Sequence, residues 1–442
     1  MLSLHKGVKI LSIIDEFIKV CNEKKEKDAF IYKGHGISYK RLLSDMYKTI
    51  GMMKAYGMKS GEKALVFLLP SYEMYLLFFA GLFYGINLIV TDSYRSPRGL
   101  RRLLKNEEIK YVFCDRSTAF LKPVIGLRQK WIRVKKYEKY ASEAYDVKPD
   151  LDSTVLTTYT SGTTGSPKPI RRSLNDLKKQ VEVVVDNVTV NTDDIAFSRL
   201  PIYTLFIVFK GLTCVVGGKM NSRELKEHKV TAVLAPIAEL LESEEEYLFV
   251  KKVLIGGATV YPKEIHRLRH LFPKAGIEYV YGSSECVLIS KTDIEYFEKN
   301  YAFDKKISGV DVSVEDADEN GVGRIRVEGD VVLSDTGIEI SNDIGYLDEK
   351  GLHIVGRRNY SAVGRYNYLI DREILMRHPE IKRGFSLIYN GVCYFCYEGK
   401  KGIPDEGDIS FVYFSKLPMD YKHRTKLNYG KALEIIKKKY KV

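Results

Sequence analysis

The chain is poor in the features that mark several common protein classes. Its six cysteines, Cys21, Cys114, Cys214, Cys286, Cys393 and Cys396, are scattered over 442 residues. Only Cys393 and Cys396 fall into a CxxC spacing, and no second pair follows them. Residues 391–398 read as a strand, on which positions three apart point to opposite faces, so the pair is not expected to share a metal. Scattered cysteines and the lack of a secretory signal make a reducing cytoplasm the expected compartment. Long hydrophobic runs are also scarce. The one membrane-like stretch, Met74 to Thr91, contains Tyr75, Tyr84 and Asn87 and is bracketed by Glu73 and Asp92. It reads as a helix stopped at Gly85 and followed by a buried strand, which excludes a membrane span. No internal repeat and no low-complexity linker is present. A formal charge of +13 invites a nucleic-acid reading. However, the basic residues are dispersed apart from small clusters such as Arg101-Arg102, Arg171-Arg172 and Lys437-Lys438-Lys439, and no nucleic-acid module accompanies them. The charge is better used to attract small anions such as nucleotides.

What is present is a large apolar content, 45%, enough to bury a sizeable core in two or more structural units. Short apolar strands alternate with helices through the first two-thirds. Lys63 to Leu69, Lys110 to Cys114, Ala232 to Leu234 and Lys252 to Ile255 read as strands, with helices at Ser44 to Tyr56, Gly99 to Asn106 and Pro262 to Leu271. This alternation predicts an α/β fold of stacked, mainly parallel sheets with helices. From about Gly309 the pattern changes. Val310 to Glu315 and Gly323 to Val327 alternate apolar with polar residues, predicting a small antiparallel β-rich subdomain over 309–355. After Gly356 a further α+β unit is expected, with a helix from Asp371 to His378, strands near Phe385 to Tyr397 and a basic helix from Tyr429.

One loop stands out chemically. Tyr159-Thr160-Ser161-Gly162-Thr163-Thr164-Gly165-Ser166-Pro167-Lys168 packs hydroxyls, glycines and a lysine between a strand, Thr154 to Tyr159, and a helix, Leu174 to Val185. Glycines let backbone N–H groups turn inward as an anion nest, the hydroxyls donate further hydrogen bonds, and Lys168 adds a point charge. A polar surface turn has the same composition. The Gly-Lys-Ser/Thr ending of a Walker loop is absent. Further along, Ile255-Gly256-Gly257-Ala258 reads as a strand-to-helix turn, Tyr281-Gly282-Ser283-Ser284-Glu285 as a strand end, and Asp348 with Gly351 as a hairpin turn. Asp343 alone would pass for a turn aspartate.

Taken together and in this order, these segments resemble the signatures of the adenylate-forming acyl- and aryl-acid ligases, a superfamily that includes acyl-CoA synthetases. The resemblance covers nearly the whole chain. It implies an N-terminal domain over 1–355, a hinge at 356–360 and a short mobile C-terminal lid over 361–442. It also implies roles for particular residues. Thr160, Ser161, Gly162, Thr163, Thr164, Gly165 and Lys168 would hold the phosphates of ATP. Tyr281 would stack on adenine, Ser284 would bond the α-phosphate, and Glu285 would hold Mg²⁺. Gly256, Gly257 and Ala258 would bring bare backbone to the adenine and acyl pocket. In Ser341-Asn342-Asp343, similar to Thr-Gly-Asp, Asp343 would accept the ribose hydroxyls. In Gly356-Arg357-Arg358-Asn359, Arg357 would contact ribose or phosphate and Asn359 would be the pivot. Lys426 matches the lysine that bridges substrate carboxylate and α-phosphate in the transition state, whereas a lysine judged by composition alone is a solvated charge.

Several positions depart from that pattern. Pro169 replaces a loop glycine, which stiffens the loop. Thr204 stands where many CoA ligases carry histidine, and Val363-Gly364-Arg365 replaces a Gly-Gly turn of the thiol channel. Phe197-Ser198-Arg199-Leu200 offers no acid to grip an α-amino group, which disfavours amino acids. The departure at Thr204, with Pro418, Asp420, His423, Arg424 and Lys426, distantly resembles the β-lactone-forming synthetases of olefin biosynthesis. The expectation is an ATP- and Mg²⁺-dependent ligase of fatty acid metabolism or a related pathway. It would turn a fatty or otherwise apolar carboxylic acid into acyl-AMP, then pass the acyl group to a thiol of CoA or the phosphopantetheine of an acyl carrier protein. The alternatives are a β-lactone synthetase-like enzyme and a catalytically idle nucleotide-binding relative.

Overall fold

The computed structural model describes residues 12–91, 97–126, 128–144, 149–159, 168–218, 220–419 and 427–440. Two large sheets dominate. The first has six strands in the spatial order 130–133, 111–114, 63–67, 87–90, 156–159, 169–172. All its pairings are parallel except the last, a hairpin-like antiparallel pair formed by Leu156–Tyr159 and Pro169–Arg172. The second has nine strands, in the order 305–306, 290–293, 276–281, 252–256, 232–236, 195–198, 213–216, 28–32, 35–38. Its six central strands run parallel and its edges are antiparallel. The α/β reading with mainly parallel sheets therefore holds.

The apolar stretch at 74–91 shows how local sequence builds this arrangement. Ser71 caps the helix Tyr72–Tyr84 by accepting from the Met74 N–H, and Gly85, in the left-handed region at φ 75°, ends it. The chain then drops directly into the buried strand Asn87–Val90. A Cβ on Gly81 would lie 2.7 Å from Leu88, so a glycine here lets the helix settle onto its own strand. No helix among the described residues is long and apolar enough to cross a membrane.

One continuous core joins both sheets and the helices around them. Its aromatic centre sets Phe17 against Phe79 in a stack at 4.7 Å, with Phe209 edge-on to both. Each such ring, removed from water, contributes about 1.5–3 kcal/mol. Two helices begin earlier than their apolar pattern suggests. Tyr39–Ala55 starts at the cap Ser38, whose hydroxyl accepts from the Arg41 N–H, so the expected start at Ser44 is corrected by a cap upstream of the periodic run. Asn367–Arg377 starts four residues before the expected Asp371 because Asn367 is pinned, its Oδ1 accepting from the Arg357 N–H at 2.8 Å.

Beyond the parallel sheets lies a four-stranded antiparallel sheet, Asp311–Glu315, Gly323–Glu328, Ile338–Asp348 and Gly351–Arg357. A three-stranded sheet follows, Ile381–Tyr389, Val392–Gly399 and Ile409–Tyr413, covered by the helices Asn367–Arg377 and Tyr429–Tyr440. In its central strand Tyr394 and Cys396 face one core cluster and Phe395 and Tyr397 the other. That alternation places Cys393 and Cys396 on opposite faces.

Candidate active site

The hydroxyl-rich loop is delivered by the hairpin of Leu156–Tyr159 and Pro169–Arg172. Tyr159 pairs with Pro169 at its mouth and Leu156 with Arg172 at its base. Pro169 opens an edge strand, where a missing N–H is tolerated. Thr160, Ser161, Gly162, Thr163, Thr164 and Gly165 lie outside the described residues, but both rims of the loop are fixed. Tyr159 donates its hydroxyl to Glu107 Oε1 at 2.7 Å, and Lys63 pairs with the same carboxylate at 2.9 Å. On the other rim, Lys168 Nζ lies 3.9 Å from Glu285 Oε1. Lys168, at the loop's rim, and the Tyr-Gly-Ser-Ser-Glu segment, more than a hundred residues apart in sequence, therefore adjoin.

That second segment leaves the carboxyl end of the parallel strand Gly276–Tyr281, the end at which open α/β sheets bind ligands. A Cβ on Gly282 would sit 2.4 Å from the Val287 carbonyl, so no larger residue fits without moving the backbone. The tight bend is closed twice: the Ser283 N–H donates to the Cys286 carbonyl at 2.7 Å, and the Cys286 N–H donates to Ser283 Oγ at 2.9 Å. Ser283 Oγ in turn donates to Glu339 at 2.6 Å. Glu339 thus faces Glu285, and its carboxyl is pushed up to about 7, chiefly by burial and then by the negative charge of Glu285. Glu285 itself is only 15% exposed.

Gly256 ends the adjacent parallel strand, Lys252–Gly256. A Cβ there would meet Val280 at 2.8 Å. Gly257 takes φ 81°, a conformation that disfavours any side chain, and the Ala258 carbonyl accepts from the Tyr279 hydroxyl at 2.8 Å. Asp343 stands opposite, engaged on both oxygens. Arg357 Nε lies 3.0 Å from Oδ1, and the Tyr281 hydroxyl donates to Oδ2 at 3.2 Å. The Asp343 charge, followed by that of Tyr368, holds the Arg357 guanidinium well above its ordinary range, while burial and then Asp343 raise the Tyr281 hydroxyl. Tyr281, Asp343 and Arg357 therefore form one group and Glu285 with Lys168 another, and Glu339 feels the charges of both. Asn359 sits in the exposed turn Arg358–Tyr360 beside it. Lys426 lies outside the described residues, in a segment whose flanks Met419 and Leu427 form a bridge. The helix after it is anchored close by, Tyr429 stacking on Tyr360 at 4.6 Å.

The neighbouring wall is apolar. Tyr203 is buried and donates to the Val287 carbonyl at 3.1 Å, and buried Thr204 accepts from the Tyr75 hydroxyl at 3.3 Å. Sequence reasoning missed Glu339, and it read Arg172 only as part of a small basic cluster. In the structure Arg172 is buried, only 3% exposed, and its guanidinium reaches the Ser284 carbonyl. Ile170 points in, Arg171 out and Arg172 in along a four-residue strand, a pattern that shows only once the strand is paired and buried.

Parallel strand ends, Lys168 at the rim of the hydroxyl-rich loop and the Asp343–Arg357 pair are the parts that the resemblance to the adenylate-forming ligases calls for. The fold agrees. The structure superposes on O-succinylbenzoate coenzyme A synthetase from Bacillus subtilis, solved with ATP and magnesium ion, at TM-score 0.81 and 20% identity, covering 94% of this chain and 99% of that one. ATP-bound MatB from Rhodopseudomonas palustris aligns at TM-score 0.84 and 18% identity, over 97% of this chain and 100% of that one. In sequence, the 2-succinylbenzoate–CoA ligase of Bacillus subtilis (strain 168) is 23% identical over 397 residues, which is 80% of this chain and 81% of that protein. The AMP-binding enzyme family model matches residues 17–339, and the chain belongs to that family of AMP-forming acid ligases.

Proposed function

We propose that this protein activates a carboxylic acid with ATP and then transfers the acyl group to a thiol. A carboxylate oxygen attacks the α-phosphorus of ATP, a new P–O bond forms, the bond to the β-phosphate oxygen breaks, and pyrophosphate leaves. The observation that carries this reading is the convergence of Lys168, Glu285, Asp343 and Arg357 at the strand ends beside the hydroxyl-rich loop. Two anions must meet in this reaction, and that patch supplies fixed cations and carboxylates around the place where they would.

The residues divide the work. Thr160, Ser161, Gly162, Thr163, Thr164, Gly165 and Lys168 hold the phosphates and Ser284 the α-phosphate. Tyr281 and the bare backbone of Gly256, Gly257 and Ala258 receive adenine, and Asp343 with Arg357 receives ribose. Glu285 suits a magnesium ion, a hard cation that takes one or two carboxylates and completes its shell with phosphate oxygens and water. When bound, that ion neutralises phosphate charge and orients the pyrophosphate. Lys426, on a lid of 361–442 turning about Asn359, stabilises the charge that develops between the two reactants.

For the acid, we favour a compact aryl carboxylate over the fatty chain expected from sequence. Two observations support it: Tyr203, clamped to the Val287 carbonyl, crosses from the helix Pro201–Phe209 to the segment after Glu285, and the relative named above acts on an aryl acid. CoA is the favoured acceptor, with a carrier's phosphopantetheine the second. Radiolabelled pyrophosphate exchange into ATP, run with aryl and fatty acids of graded length and followed by CoA addition, tests the reading. Exchange with an aryl acid and thioester formation on CoA addition are expected. ATP binding without exchange for any acid would make the protein an idle relative.

A further inference from the structure

Arg171 and Arg172 are adjacent, yet only the first behaves as a surface charge, lying 3.6 Å from Glu107. Arg172 is buried with all of its guanidinium nitrogens engaged. Nη2 donates to the Ser284 carbonyl at 2.6 Å, Nη1 to Thr158 Oγ1 at 2.8 Å, and Nε to Gln180 Oε1 at 3.1 Å. The three acceptors come from three separate pieces of the fold. Thr158 lies on the strand that enters the hydroxyl-rich loop, in the six-stranded sheet; Gln180 lies on the helix Leu174–Asn187; Ser284 lies beyond the end of the nine-stranded sheet's strand Gly276–Tyr281. Burial pulls the guanidinium down to about 10, and the charges of Glu285 and Asp176 oppose it, so it stays protonated at neutral pH.

We propose that Arg172 is a positioning residue that locks the two halves of the nucleotide site in register, tying the phosphate-loop hairpin to the backbone between Ser284 and Glu285. The inference deepens the reading of the site given above and rests on it. A buried charge is tolerated only where its partners are placed for it, and a planar guanidinium fixes the directions of its donors where an ammonium does not. The bond to the Ser284 carbonyl holds the one peptide that joins the hydroxyl offered to the α-phosphate to the carboxylate offered to magnesium. The bond to Thr158 holds the same guanidinium to the strand that presents the loop. Arg172 touches no reacting atom on this account. Its effect is to keep loop, hydroxyl and carboxylate within the tolerance of the reaction, where a shift of about 1 Å costs on the order of a hundredfold.

The test uses the full chain. Arg172→Lys keeps the charge and loses the fork. Its affinity for ATP without magnesium is expected to stay within about threefold of the parent. Pyrophosphate-exchange turnover should fall by roughly 30- to 100-fold, and the magnesium concentration for half-maximal ATP binding should rise by about tenfold. Thr158→Val cuts only the arm to the hairpin and guards against a lysine variant that does not fold; it should lose about five- to tenfold in turnover with ATP affinity unchanged. The proposal is overturned if both variants keep turnover and magnesium dependence within threefold of the parent. It is equally overturned if turnover falls only in proportion to lost magnesium-free ATP binding, the signature of a merely structural arginine. If the parent binds ATP with magnesium but exchanges no acid, the ligase reading fails, while the magnesium dependence of ATP binding in the two variants still decides the role of Arg172.

Discussion

The two walls of the proposed site are built on different principles. On the side proposed for the nucleotide, charged and polar groups are held in place by one another: Asp343 by Arg357 and Tyr281, Glu285 by Lys168, Glu339 by Ser283, and the Ser284 carbonyl by Arg172. On the side proposed for the acid, Tyr203, Thr204 and the turn after Gly256 are positioned by packing and by neutral hydroxyl-to-carbonyl or hydroxyl-to-hydroxyl contacts, with no ion pair among these described residues. A wall of paired charges is arranged before the ligand arrives and pays little reorganisation when phosphates replace its partners. A packed apolar wall discriminates by shape, and each misfit methylene is worth only a modest factor. Affinity and chemistry should therefore live on the first wall and substrate choice on the second.

Four experiments would break or sharpen that division. The largest effect is expected at Lys426, the proposed bridge between the two reactants. Lys426→Ala should reduce acyl-adenylate formation by about 10²–10³, the usual cost of losing a donor to transition-state charge. Thioester formation from preformed acyl-adenylate should stay close to the parent rate, and an equal loss in both half-reactions would place the lysine outside adenylation. Next, Asp343→Ala removes the carboxylate proposed for ribose and leaves Arg357 without its acidic partner. The KM for ATP should rise by roughly 10- to 100-fold, as for a lost charged hydrogen bond, with the ranking of acids unchanged. A changed ranking would show that the two walls are coupled.

Tyr203→Ala acts on the other wall. Competition between a compact aryl acid and a longer acid should move by about tenfold towards the longer one, while the KM for ATP holds. An unmoved ranking would mean that Tyr203 does not bound the acid. The smallest effect concerns Glu339. Its carboxyl titrates near 7, so it is neutral below that pH and ionised above, where it adds a second charge beside Glu285. Apparent magnesium affinity should therefore strengthen by about two- to fivefold as pH rises across neutrality, and Glu339→Gln, uncharged throughout, should flatten the profile. Lys168 and Asp343 also face this carboxyl, so a profile unchanged in Glu339→Gln would assign the titration to another group.

Much of the nucleotide wall was legible because its chemistry sits in short contiguous segments. Tyr281 to Glu285 and Gly256 to Ala258 each end a strand, Ser341 to Asp343 lie within one, and the glycines of the first two are demanded by close backbone approach that leaves a mark in sequence. The helix at 72–84 with its stop at Gly85, and the hairpin closed between Asp348 and Gly351, were legible for the same local reason. Glu339 and Arg172 were not. Each earns its place from a partner far along the chain, Ser283 or Ser284, and a lone glutamate or one of two adjacent arginines carries no local sign of that. The early helix starts at Tyr39 and Asn367 escaped notice because a cap and a long-range amide contact set them, not the apolar period.

The amino-acid order by itself determined the alternation of strand and helix, the glycine turns at the strand ends and the chemical inventory of the hydroxyl- and carboxylate-bearing segments, because backbone propensity and steric demand act over a few residues. Only the tertiary structure decided that the hydroxyl-rich hairpin and the Glu285 segment face each other across two sheets, that Arg172 is buried between them, and that Tyr203 spans the acid side. Those outcomes depend on burial and on pairing between distant residues, whose energies exist only once the sheets have packed.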